Sequence, residues 1–480
     1  MAVKNEGSQH LWLTMTALGL FTFMSTLDAS IVNIALPIIS RDLSIPMNQA
    51  TWTVAIYLIV ISGLLTFFGR LGDQVGKIRI FKWGTYIFTL GSLFAGFNLG
   101  LPFLLFARVV QAVGASMTMS NSFGITTDLA PTAMRARAMS FIALFVSMGS
   151  IAGPALGGII LQYLPWSYIF WINVPVGLLA ILAGSYFFPK SRPRMQHIEI
   201  DWIGSGLFFS LIVVFFLGVN LAQIIGFAAP LALVLDAVSL ALLVAFISWE
   251  RRVSEPLLDL SIFKTSLFTL SLIASVLVFT TNFFSNVLLP FYLENLRGFS
   301  TGKSGLYMMT IPVAMLIGAP IAGIVADKFD REYVTLVALS GLVVAMFGWR
   351  AVVGDSPMVF VVLMMALAGL GTAFFQTPNN ALIMTAAPQS QLGVAGALNA
   401  LARNLGMIIG TSAVTTALYL SMSNTLGHNV VSYPVGHDAV FVDGMHTAFT
   451  LGAVLVLVAW GITFVRVLMR IKAKQSEKKA

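Results

Sequence analysis

The sequence predicts an all-α, polytopic membrane protein, and three observations carry that expectation: an apolar composition, a succession of apolar runs long enough to cross a bilayer, and a lopsided spread of basic residues between them. Of 480 residues, 58% are hydrophobic and 10% charged, against about 25% charged in soluble domains. A bilayer demands this composition, because each spanning helix needs about 20 mostly apolar residues. The 41 glycines fit the same picture, since small residues let membrane helices approach closely. With no cysteine in the chain, disulfides and thiolate metal sites are excluded. The first apolar run, Leu11 to Ile39, is too long for a signal-peptide core and lacks a small-residue cleavage site after it, so it reads as a retained span.

Apolar runs bounded by charges, Pro or Gly give fourteen spans: 13–37, 49–69, 79–98, 102–125, 137–162, 166–188, 201–222, 227–248, 265–291, 303–326, 332–352, 357–380, 392–420 and 446–468. An even number puts both termini on one side, and Lys/Arg bias says which. Of the 27 basic residues, 21 fall in the termini and alternate connections, among them Lys77, Arg79, Arg135, Arg137, Arg251, Lys264 and the tail from Arg466 to Lys479. The opposite set holds only Arg41, Arg297, Lys303 and Arg350, and Arg108 and Arg403 sit inside spans. Both termini are therefore expected in the cytosol. The net charge of +8 reads as topology rather than nucleic-acid binding.

The chain repeats itself weakly. Gly69 and Asp73 match Gly323 and Asp327 at an offset of 254, Leu36-Pro37 matches Leu289-Pro290 at 253, and Gly114, Gly149 and Gly153 match Gly371, Gly406 and Gly410 at 257. Six spans end near residue 188, so the surplus corresponds to two inserted helices. The expected organisation is a six-helix bundle over 1–190, two inserted helices with linkers over 191–264, and a second six-helix bundle with a basic tail over 265–480. Two related halves place a substrate site between them near the bilayer midplane.

Four motifs give the chain a resemblance to the major facilitator superfamily, specifically its fourteen-helix drug:proton antiporters. They are L-D-A-S-I-V-N-I-A-L-P (Leu27 to Pro37), the Gly69 to Arg79 loop, R-V-V-Q-A-V-G (Arg108 to Gly114) and G-S-I-A-G-P-A-L-G-G (Gly149 to Gly158). Trp52, Tyr57 and W-S-Y-I-F-W-I-N-V-P-V-G (Trp166 to Gly177) also look like this family. The resemblance implies the major facilitator fold, export of small molecules across a bacterial cytoplasmic membrane, and the proton gradient in place of any cofactor; the lack of any deep acid apart from Asp28 in the twelve core helices favours lipophilic neutral or monocationic substrates. Export of one amphipathic lipid or metabolite, or proton-coupled uptake on the same fold, are the alternatives, because fold does not fix direction. The chain is expected to act as a monomer on a small-molecule substrate and protons. No nucleotide loop, metal-ligand cluster or nucleophile–base pair supports an enzyme.

Elementary chemistry assigns the motifs roles. Asp28 lies mid-span, where a carboxylate costs at least about 2.5 kcal/mol and so must be paired, protonated or wet. Helical rise from Pro37 and from Pro102 puts Asp28 and Arg108 at similar depth. Arginine stays cationic while an acid titrates, so the two are the candidate proton-coupling pair. Gly149, Gly153, Gly157 and Gly158 frame Pro154 in a bendable face expected to seal against the other half, whereas Thr411 replaces the proline in the second copy. Gly69, Asp73, Gly76 and Arg79 resemble the family's cytoplasmic latch, with Arg135, Arg137 or a helix N-terminus as partner. Asp330 stands where the first copy has a glycine, which weakens the claim of Asp327. Arg403 is expected to brace span thirteen, and Asp236, in an inserted helix, to serve structure or assembly. Candidate cavity residues are Asn33, Tyr57, Gln111, Asn121, Asn282, Asn286, Phe374, Gln376 and Asn379.

Overall fold

The computed structural model describes residues 2–45, 47–189, 200–225, 229–428, 430, 433–434 and 436–477. Among these there is no strand, and fourteen long helices account for the fourteen expected spans. They are α1 (Ala2–Asp42), α2 (Trp52–Val75), α3 (Lys77–Ala95), α4 (Leu101–Leu129), α5 (Arg135–Tyr163), α6 (Asn173–Phe187), α7 (Trp202–Ile225), α8 (Pro230–Glu250), α9 (Ser266–Pro290), α10 (Thr310–Lys328), α11 (Arg331–Arg350), α12 (Met358–Ala386), α13 (Leu392–Leu426) and α14 (Asp438–Glu477).

Thirteen segments of the described chain are long and apolar enough to cross a membrane. The remaining expected span, 79–98, is α3, whose mean hydropathy is diluted by Lys77, Arg79 and Lys82 in its first turns. Packing holds it in place. Glycines at 84, 91 and 114 bring α3 against α4 so closely that a Cβ at Gly84 would come 2.7 Å from the Gly114 carbonyl oxygen, and one at Gly91 2.6 Å from the Gln111 nitrogen.

Local chemistry sets the helix ends. Gly76, at φ +115°, breaks α2 from α3 with a backbone turn that a side chain would strain. Proline in the first turn opens α4 and α8, where its missing N–H costs nothing. Asp330 caps α11 by accepting the Glu332 N–H at 3.2 Å.

The chain forms two compact units. One comprises residues 1–264 and 384–401, the other 265–383 and 402–480. The inserted helices α7 and α8 pack with the first, α7 laying Phe209 over Gly63 of α2. Leu231, Leu233, Val234, Leu240 and Val244 leave most of α8 apolar and exposed, as a lipid-facing helix requires. Asp236 interrupts that face and lies beside Gly218 of α7. Inside the first unit, Gly149, Gly153 and Gly157 seat α5 on α1. Inside the second, Gly406 and Gly410 seat α13 on Val276, Phe279 and Phe283 of α9. The weak repeat thus appears as the same glycine-mediated helix pair twice. The sequence expectation that the Gly149–Gly157 face seals against the other half differs from this. Each of its first three glycines meets α1 of its own unit, because a glycine ridge admits the nearest backbone.

Candidate functional site

The polar core of the first unit is built on Asp28 and Arg108, which are 0% and 1% exposed. Arg108 Nη1 donates to Asp28 Oδ2 at 2.6 Å and to Gln111 Oε1 at 2.8 Å, and Nε donates to the Thr53 carbonyl at 2.9 Å. The guanidinium lies over the Tyr57 ring, 4.0 Å from its centroid, with Phe170 at 5.7 Å. Asp28 Oδ1 accepts from Asn173 Nδ2 at 2.9 Å and from Gln111 Nε2 at 3.3 Å, and Gln111 also donates to Ser92 Oγ at 2.7 Å. Five helices thus converge on one ion pair: α1 supplies the acid, α4 the cation and Gln111, α2 Tyr57 and Thr53, α3 Ser92, and α6 Asn173.

This wiring decides what the carboxylate can do. A buried pair breaks even only when the remaining lone pairs and N–H groups are satisfied, and here both Asp28 oxygens are. If Asp28 takes up a proton, Arg108 keeps Thr53, Gln111 and the Tyr57 ring, so the cation is not stranded. The α5 glycines border the same place: a Cβ at Gly149 would come 3.1 Å from the Leu27 nitrogen, and Ser30 Oγ donates to the Gly149 carbonyl at 3.4 Å.

A second polar cluster closes one end of the same unit. Asp73, 7% exposed, accepts the Gly393 N–H at 2.8 and 3.0 Å and the Val394 N–H at 3.1 Å. These are orphan donors of the first turn of α13, where a carboxylate also meets the positive end of the helix dipole. Lys77 Nζ lies 3.1 Å from Asp73 and 3.0 Å from Asp128. Gly69 is indispensable here, since a Cβ would come 2.6 Å from the Gly393 carbonyl oxygen. Arg79 is exposed and Arg137 half-buried. In the second copy, Asp327 pairs with Arg331 at 3.8 Å, while Arg470 of α14 reaches Asp330 at 2.6 Å.

The remaining cavity candidates are scattered. Asn121 donates to the carbonyls of Phe68 at 3.1 Å and Met117 at 2.9 Å, against Gly72. In the second unit, Asn282 Oδ1 accepts from Thr372 at 2.9 Å, and Asn286 is exposed. Phe374 and Gln376 are half-buried, and Phe374 packs on the apolar core. Asn379 binds the Ser271 carbonyl at 3.1 Å, Ser275 Oγ at 2.9 Å and the buried Arg466 at 3.3 Å, which makes it a helix tie. Gly158 has nothing within 4 Å of a notional Cβ. Arg403 is half-buried on α13. The side chains of Asn33 and Pro154 lie outside the described residues. Sequence reasoning missed Asn173 and Ser92; of the partners it offered for Asp73, the helix N-terminus is the one that binds it, supplied by the Gly393 and Val394 amides of α13. The signal for Asn173 was a lone amide in the apolar run after Trp171.

A family pattern described as Major Facilitator Superfamily matches residues 18–411. The chain belongs to the Major Facilitator Superfamily. It is accordingly a multi-pass membrane transporter with a small-molecule substrate. Among superfamily members it is similar to the Riboflavin transporter RibZ of Clostridioides difficile (strain 630), 32% identical over 92% of this chain and 94% of that one. It is also similar to the Multidrug export protein EmrB of Escherichia coli (strain K12), 30% identical over 86% of this chain and 80% of that one. In fold it matches the proton:xylose symporter XylE, with a TM-score of 0.66 at 14% identity over 95% of this chain and 96% of that one.

Proposed function

We propose that the protein is a proton-coupled antiporter that exports lipophilic or monocationic small molecules across a bacterial cytoplasmic membrane, with both termini in the cytosol and no cofactor beyond the proton gradient. The buried Asp28–Arg108 pair carries this reading. An acid held by a permanent cation and two amides has two stable states, charged and paired or neutral and hydrogen-bonded, and a proton antiporter needs both. In one half of the cycle a proton from outside neutralises Asp28 and frees Arg108 to lean on Gln111, Thr53 and Tyr57. In the other half Asp28 gives the proton up to the cytosol and the pair reforms. The Asp73 cluster supports a latch role: the Gly393 and Val394 amides that it binds tie residues 384–401 into the first unit, and opening releases that segment.

Similarity to a multidrug export protein and the motifs at Asp28 and Gly149–Gly158 support export. Similarity to a riboflavin transporter supports a second reading, transport of a planar metabolite such as a flavin. Purified protein in liposomes, with an imposed pH gradient and a panel of lipophilic cations, neutral drugs and fluorescent riboflavin, separates them. Gradient-driven accumulation of cations or neutral drugs opposite to proton flow supports drug antiport. Movement of riboflavin alone supports the metabolite reading, and co-directional flux of substrate and protons refutes antiport.

A further inference from the structure

The inserted helices carry a pair of acids apart from Asp28. Glu250, the last residue of α8, is 5% exposed. Its Oε2 accepts the Leu258 N–H at 2.9 Å. Its Oε1 has no hydrogen-bond donor. That oxygen and Oδ2 of Asp201, just before α7, converge on Gly204, where any Cβ would overlap both, and the two carboxyls are within hydrogen-bonding reach of each other. Asp201 is fixed in place: Oδ1 accepts the Gly204 N–H at 2.8 Å and Trp249 Nε1–H at 3.0 Å. Two carboxylate oxygens are both acceptors, so their approach becomes a bond only when one carries a proton; two bare charges this close repel.

The groups around the pair are Arg70 from α2, and Arg251, Glu255, Asp259 and Lys264 from the linker, all of which line one pocket with Glu250 and Gln391. Some of these groups have partners of their own. Arg70 pairs with Glu255 at 2.6 Å. Asp259 accepts the Ser261 N–H at 2.9 Å and Gln391 Nε2–H at 3.0 Å. Among the described residues no cation forms an ion pair with Asp201 or Glu250.

We propose that Asp201 and Glu250 share a single proton and act as a protonation site, separate from the transport pair, that fastens linker 251–264 to the latch segment. With the proton in place, Glu250 stays turned toward Asp201 and holds Leu258. Leu258 presents Asp259 to Gln391, two residues before the Gly393 amide that Asp73 holds. Loss of the proton puts two negative charges across Gly204, swings Glu250 away and frees the linker. The insertion thereby makes the latch responsive to the pH of the compartment on that side. This consequence rests on the latch role of Asp73 proposed above; the protonation site itself does not.

The test uses the absence of cysteine from the chain. Ser254→Cys, on the exposed linker, carries a spin label in an Asp28→Asn background, which removes the transport proton. Between about pH 5 and about 9, the range into which burial and a neighbouring like charge can raise a carboxyl, the mobile fraction of the label is expected to rise at least about threefold in one single-proton step. Glu250→Gln, whose amide donates to Asp201 and still accepts from Leu258, should hold the label immobile throughout; Asp201→Asn should do the same. Glu250→Ala, which loses the Leu258 tether, should leave it mobile throughout. An unchanged step in Glu250→Gln overturns the proposal. So does a step that moves with sodium, potassium or magnesium at fixed pH, which makes the pair a cation site. A second label pair at the exposed Trp83 and Gln389, which leaves Asp73 and Gln391 in place, separates the two claims: a linker step without change there keeps the protonation site and refutes its link to the latch.

Discussion

Replacing Asp73 with asparagine removes the charge from a carboxylate that receives three amide contacts, and the structure sets the size of the effect. A hydrogen bond to a charged group contributes about 1.5–3 kcal/mol, and a carboxylate at a helix N-terminus about 0.3–1 kcal/mol more. Asparagine keeps one carbonyl acceptor for Gly393 or Val394 and leaves the other amide without it, while Lys77 keeps Asp128 at 3.0 Å. The net loss is then roughly 2–4 kcal/mol. That is a shift of roughly 30- to 700-fold in the population holding residues 384–401 in the first unit, at 1.4 kcal/mol per tenfold. Cysteines at Trp83 and Gln389, both exposed, carry spin labels on the otherwise cysteine-free chain. Distance distributions in lipid nanodiscs should change from one short component to a majority of longer ones in Asp73→Asn. If the two distributions superimpose, the Gly393 and Val394 amide bonds do not govern the closed end and the latch role is wrong.

Four further outcomes are expected. Gly69→Ala forces a methyl against the Gly393 carbonyl oxygen; overpacking of this kind costs about 1–3 kcal/mol, and the same label pair should lengthen, less than additively with Asp73→Asn. Asn173→Leu removes a hydrogen bond to a buried charge and should slow gradient-driven flux by about 10-fold or more, measured as initial rate in liposomes, while downhill exchange continues. Pro154→Ala, in the frame whose neighbours seat α5 on α1, should abolish accumulation against a gradient and leave facilitated flux equal or faster. Burial works to raise the Asp259 carboxyl, but the Ser261 amide and hydroxyl, the Gln391 amide and Arg70 outweigh it and hold the group below its ordinary value. A lowered acid contributes docking free energy that is complete above the ordinary value near 3.8 and is lost as pH falls further. The linker label should therefore loosen below about pH 4, and Asp259→Asn should flatten that acid limb.

The helices were legible because a bilayer imposes one rule on every span, a run of about 20 apolar residues. α3 shows the rule's edge: its three lysine and arginine residues weaken its apolar signature, and glycine packing on α4 compensates. The depth argument from Pro37 and Pro102 put Asp28 and Arg108 within reach, and their oxygen–nitrogen distance is 2.6 Å. What completes the site was not legible for a physical reason. Asn173 reaches Asp28 across 145 positions of sequence, and the amides of Gly393 and Val394 are backbone, so no residue type announces them. Glycine spacing at 149, 153 and 157 told that a helix packs closely there but not which one. The pair Asp201 and Glu250 was hidden because each sits at a helix end among charges that read as topology.

Flux through Asp28→Asn protein is the most direct measurement of proton coupling. Wild-type and variant protein are reconstituted in liposomes, matched for orientation and content, and loaded with one transported substrate. Initial rates are then read with and without an imposed pH gradient. Asparagine keeps one oxygen for Arg108 and turns its amide N–H toward Asn173, whose own amide can flip to accept it, but it cannot carry the proton, so gradient-driven accumulation should vanish while substrate still binds and exchanges downhill. Accumulation at the wild-type rate in Asp28→Asn would contradict proton coupling at this pair and, with it, the antiport mechanism proposed for the protein.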